Sequence, residues 1–147
     1  MLDSQLRDGP LRGREAELAV IDRLVSALGA GDGGVLLLDG AAGIGKSRLA
    51  AEVLGRAQRS GLRILQVEAA RGRFAPFPLL LDTALGLDSP VRSRPGTAFR
   101  SAAAADPLVI VIDDLHRADA ETAMALRTLV AELRHVGVLW VLAARRA

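Results

Sequence analysis

Asp39-Gly40-Ala41-Ala42-Gly43-Ile44-Gly45-Lys46-Ser47-Arg48-Leu49 contains the pattern G-x-x-x-x-G-K-[ST] from Gly40 to Ser47, and its flanks decide the fold. Before it, Val35 to Leu38 is an unbroken apolar run with glycines on either side, the pattern of a strand buried on both faces. After it, Leu49, Ala50, Val53, Leu54 and Ala57 recur at helical spacing until Gly61. Strand, glycine loop and helix in that order give the pattern a mechanism. Glycines let the backbone turn its N–H groups inward around an anion, and the helix N-terminus adds a partial positive charge. A lysine in such a loop reaches terminal phosphates, and the hydroxyl of Ser47 is placed to ligate Mg²⁺. The chain's own frequencies of Gly, Lys and Ser/Thr make a chance match of roughly one in a thousand, so chance is a poor account. Lys46 is also the sole lysine of a chain whose other basic residues are all arginine. A compact ammonium on a flexible stem is what the loop accommodates.

Working outward, Leu18, Ile21, Leu24, Val25 and Leu28 predict a helix over 14–28, and Leu62 to Val67 predicts a second strand. Pro78 to Leu87 reads as a short helix followed by a loop from Asp88 to Gly96. Leu108 to Ile112 is a third strand, Asp119 to His135 a helix, and Val138 to Ala143 a fourth strand. Alternating strands and helices predict an α/β fold, a parallel sheet of about four strands with helices on both faces. Asp113 and Asp114 then fall at the carboxyl end of a buried strand, the edge where such sheets hold ligands. Opposite the loop hydroxyl, Asp113 would hold the metal, and Asp114 would position or deprotonate an attacking water. Asp119 precedes a helix and reads as its N-cap, and the lone His116 reads as structural.

Composition narrows the alternatives. With 147 residues, half of them hydrophobic, the chain can bury a core. Its longest apolar run, Val136 to Ala144, is about half of what a membrane-spanning helix needs, and Asp3 and Asp8 stand where a signal peptide would be positive. The expectation is a soluble, cytoplasmic protein without a membrane partner. No cysteine and two histidines exclude disulfides and zinc clusters. A net charge of +2 gives no surface for nucleic acid; the pI near 10.3 reflects arginine usage and the lack of Tyr and Cys.

Three segments together resemble a known family: Leu11-Arg12-Gly13-Arg14-Glu15-Ala16-Glu17-Leu18, the loop 39–49, and Asp113-Asp114-Leu115-His116-Arg117-Ala118-Asp119. They are similar to the nucleotide-binding domain of AAA-like STAND P-loop ATPases, especially the large ATP-binding LuxR-family regulators of bacteria. The resemblance implies ATP or ADP with Mg²⁺ as cofactors. It places Leu11, Gly13 and Arg14 beside the adenine, and Gly40, Gly43, Ile44, Gly45, Lys46, Ser47 and Arg48 around the phosphates. Ser47 and Asp113 would hold the metal. Lys46, Asp114 and Arg145 would act in catalysis, Arg145 as the sensor of the terminal phosphate, with adjacent Arg146 leaving the register open.

The implied organisation is a single truncated P-loop domain over 1–147, with an adenine-side segment and helix at 11–34 and a P-loop core at 35–147. The family's fifth strand, helical lid, winged-helix and repeat regions and DNA-binding helix-turn-helix lie outside it. The family's sheet order sets the loop-bearing strand beside the fourth and leaves its other side open. Self-association, weak nucleotide binding and slow turnover are then expected. The expected function is a nucleotide switch in a bacterial signalling or transcriptional regulator with slow ATP hydrolysis, any DNA contact belonging to a longer parent. A P-loop small-molecule kinase and a non-catalytic nucleotide-binding or interaction domain are the alternatives.

Overall fold

The computed structural model describes residues 15–40, 46–73, 76–85 and 96–145. Helix α1 (Glu15–Gly29) buries Ile21, Val25 and Leu28, a stripe at helical spacing, and carries Glu15 and Glu17 in its first turn, where acidic side chains favour the helix dipole. Strand β1 (Gly34–Gly40) follows, then α2 (Lys46–Arg59) and β2 (Arg63–Glu68). A 3₁₀ turn (Ala69–Arg73) leads to α3 (Phe77–Ala84) and α4 (Thr97–Ala105). Strand β3 (Leu108–Asp113), a second 3₁₀ turn (Leu115–Arg117), α5 (Ala120–Glu132) and β4 (Val138–Arg145) complete the order.

The four strands pair in the order β1-β4-β3-β2, all parallel. This is the α/β architecture expected from the sequence, with the loop-bearing strand beside the fourth. Side chains alternate between two cores. Val109, Val111, Leu139, Val141 and Ala143 pack with α1 and α2, whereas Leu108, Ile110, Ile112, Val138 and Trp140 pack with α3, α4 and α5. Every residue from Leu108 to Ile112 is buried, as a central strand covered on both faces requires. On the second face Trp140 meets Phe99 with ring centroids 5.9 Å apart at 58°. On the first, Arg56 of α2 bonds to Asp22 of α1 and Glu52 of its own helix. The bond to Asp22, ahead of that to Glu52, holds the guanidinium above its ordinary pKa.

Gly33 makes the close approach of β1 to β4 possible: a Cβ there would lie 2.6 Å from the carbonyl oxygens of both Val136 and Val138. The burial expected for Val35 to Leu38 is corrected by this pairing. β1 lies at the sheet edge, and only alternate residues face a core: Leu38 is 5% exposed, but Val35 and Leu37 are 50% and 58% exposed. The latter two share the face of Trp140 and Leu142, their register partners, and among the described residues no helix covers them there.

The structure also adds α4, a helix not among the elements expected from the sequence. Its cap comes from elsewhere: the buried Asp82 of α3 accepts the N–H of Gly96 at 2.6 Å and of Phe99 at 2.8 Å. Gly96 adopts φ +92°, and a Cβ there would meet Pro78 at 3.0 Å, so the α3–α4 junction is fixed by one glycine and one carboxylate. Most of the loop expected from Asp88 to Gly96 lies outside the described residues. Replacing Asp82 leaves two amides without this acceptor. Asp82→Ala should therefore lower stability by about 2 kcal/mol, read as a shift of the urea midpoint at unchanged slope.

Candidate functional site

The sheet order creates the site. β1 leads into α2 on one face and β3 leads into α5 on the other, so the chain departs in opposite directions from the carboxyl ends of two strands flanking β4. A parallel α/β sheet opens its ligand crevice at such a divergence. Gly40, where the glycine loop begins, is the register partner of Arg145, and Ile112, just before the acidic pair, is the partner of Leu142. The pairing therefore brings the loop start, the candidate sensor position and the two aspartates to one edge.

Asp113 closes β3 and is exposed at that edge. One of its oxygens, Oδ1, accepts the N–H of Asp114 at 2.8 Å. Asp114 takes φ +56°, the left-handed region, and is the one non-glycine residue with positive φ among the described residues. Aspartate tolerates this conformation better than most side chains, and a residue held there marks a locally determined turn. The turn begins where Oδ1 of Asp113 accepts the Asp114 N–H.

Both aspartates line a cavity of about 820 Å³ over the carboxyl edge of β2 and β3. Ala50 and Leu54 of α2 form one apolar wall, and Gln66 and Glu68 of β2 with Arg71 form a polar one. His116 and Arg117 reach the rim, so His116 stands nearer the candidate chemistry than its isolation in the sequence suggests. Among the described residues no group of three or more His, Cys, Asp or Glu could hold a metal ion unaided. Asp113 retains acceptor capacity beyond its one backbone bond, which suits a cation that shares its ligands with phosphate and water.

The other expected site residues divide clearly. Lys46 and Ser47 open α2, the helix that follows the loop, and Arg48 lies half-buried in its first turn. Leu11, Gly13 and Arg14, the loop residues Gly43, Ile44 and Gly45, and Arg146 lie outside the described residues, as do the side chains of Lys46, Ser47 and Arg145, whereas Gly40 ends β1. Asp119 caps α5 as its spacing predicts, with Oδ1 accepting the N–H of Thr122 at 2.8 Å. Sequence reading missed Glu68 and Arg71. Their only signal was position, just after a strand at the edge that carries the aspartates.

Comparisons place this geometry in a family. Residues 10–94 match the AAA ATPase domain family. An uncharacterized protein of Rhizobium meliloti (strain 1021) is 46% identical over 74 residues, covering 49% of this chain and 7% of the relative. Among solved structures, a replication initiator DnaA bound to AMPPCP and single-stranded DNA superposes with a TM-score of 0.63 at 17% identity, over 97% of this chain and 41% of that one. Domain III of DnaA from Thermotoga maritima gives 0.61 at 18% identity, over 97% and 55%. The chain thus spans a small part of the curated relative and about half or less of these structures, and at these identities the structures speak for the fold alone. With the family match covering more than half its length, the chain belongs to the AAA ATPase domain family.

Proposed function

We propose that the chain is an ATP-binding module that switches between nucleotide states within a bacterial signalling or transcriptional regulator, with slow ATP hydrolysis resetting it. The observation that carries this reading is the shared edge: the glycine loop leaves β1 two strands away from the exposed Asp113, with the site opening above β4. The family supports a nucleotide as the ligand. AMPPCP in the similar DnaA structure supports a triphosphate.

In this reading Lys46 binds the terminal phosphates and Ser47 and Asp113 hold Mg²⁺, with Leu11, Gly13 and Arg14 beside the adenine. Bound there, Mg²⁺ would neutralise charge on the phosphate oxygens. Asp114, which lines the same cavity from a left-handed backbone position, orients the attacking water and takes its proton. Arg145 contacts the terminal phosphate from β4. The size of the cavity beside Asp114 keeps a second reading open, in which a small-molecule acceptor takes the phosphoryl group instead of water. Phosphorylated product in place of free phosphate would favour that kinase.

The exposed face of β1 supports a further part of the proposal, self-association. Val35 and Leu37 are exposed, Leu37 is the register partner of Leu142 in an apolar groove of about 510 Å³ also lined by Leu115, Leu126 and Val130, and strand edges of this kind invite pairing. Leu37→Lys should keep a chain that dimerises with rising concentration monomeric, as read by analytical ultracentrifugation. A parent that stays monomeric throughout would remove this part of the reading.

The nucleotide assignment is tested by calorimetry. Lys46→Ala should lose most affinity for both ATP and ADP while keeping its circular dichroism, and unchanged ATP affinity would sink the assignment. Asp114→Asn should spare binding and lower turnover by about 10² to 10⁴, whereas Asp113→Asn should weaken the dependence on Mg²⁺.

A further inference from the structure

The cavity beside Asp114 is far larger than an attacking water requires, and its polar wall carries a cation that the nucleotide reading has not used. Glu68 ends β2 as the direct register partner of Asp113 on β3. Directly paired residues of neighbouring strands project to the same face, so the two carboxylates leave the sheet side by side. Arg71 follows three residues later in the 3₁₀ turn, and its Nε lies 3.7 Å from Oε2 of Glu68. That separation exceeds a hydrogen bond, and both side chains are more than half exposed, at 70% and 59%. An ion pair of this kind contributes almost nothing to stability, so little holds Arg71 to Glu68. A phosphate offers a guanidinium more: charge-assisted bonds, often two in parallel, to a planar donor fork.

We infer that Arg71 is a second group, besides Arg145, by which this site tells a nucleoside triphosphate from a diphosphate. It exchanges Glu68 for the terminal phosphate when that phosphate is present and returns to Glu68 when it is gone. The strand order supports this division of labour. The phosphate loop leaves β1, Arg145 stands on β4, and Arg71 lies on the far side of Asp113, beyond β3, in the cavity that Asp114 shares. Arg71 therefore lies across the site from β1, the strand that leads into the loop. Glu68 is a positioning residue in this scheme: it parks the guanidinium within reach of the site without binding it firmly.

The inference rests on the nucleotide reading above, and the test separates the two. ATP and ADP affinities would be measured by calorimetry with Mg²⁺ for the parent, Arg71→Ala, Arg71→Lys, Glu68→Gln and Arg117→Ala, each checked for folding by circular dichroism. Arg71→Ala should weaken ATP about tenfold and leave ADP within about twofold, the loss expected for one charge-assisted phosphate contact. Arg71→Lys should recover part of that loss. Glu68→Gln should strengthen ATP about two- to fivefold without changing ADP, a gain that a merely structural Glu68 would not produce. An ATP-to-ADP ratio that is unchanged in Arg71→Ala, or that moves in Arg117→Ala instead, overturns the assignment to Arg71 while the nucleotide reading stands. A parent that binds neither nucleotide overturns both.

Discussion

Everything at the carboxyl edge depends on β4 pairing in parallel with β1 on one side and β3 on the other. That pairing sets Gly40 level with Arg145 and Ile112 level with Leu142, and so delivers the glycine loop and the two aspartates to one edge from sequence positions some seventy residues apart. It also divides the apolar residues between two cores, because consecutive side chains of β3 and β4 point to opposite faces. Gly33 is the local condition for it, since any side chain there would strike the backbone at the start of β4. The helices add the second condition: α2 and α5 leave on opposite faces, which opens space above β4 instead of covering it.

The parts that were legible in the sequence are those set by local pattern. Five branched apolar residues from Leu108 to Ile112 could only be a central strand, and the helical spacing of Leu49, Val53 and Ala57 could only place α2 against the sheet. Asp119 is a cap because its side chain needs only the amide three residues on. What escaped depends on distance. Val35 to Leu38 looks the same whether it lies at the centre or the edge of a sheet, because its neighbours decide its burial. The α4 helix has no side-chain cap of its own and takes one from Asp82, fourteen residues before Gly96. Glu68 joins the site through interstrand register, which a linear sequence does not display.

The two sides of the nucleotide strand carry different chemistry. On the β4 side β1 is committed to the sheet, and its carboxyl end feeds directly into the phosphate loop. Among the described residues no strand pairs with its other edge, and Val35 and Leu37 are exposed on one face of the strand. Whatever pairs with that edge would stiffen the strand that positions the loop, so association and nucleotide affinity should be thermodynamically linked in both directions.

The central claim is that nucleotide and metal meet at the carboxyl edge of this sheet, between the ends of β1 and β3. Paramagnetic broadening of backbone amide signals by Mn²⁺ with ATP tests it most directly. The account predicts broadening at Gly40, Lys46, Glu68, Asp113 and Asp114, with sharp signals at Gly34, Arg63, Leu108 and Val138 on the opposite edge. Broadening spread evenly over both edges, or confined to the second, would contradict it.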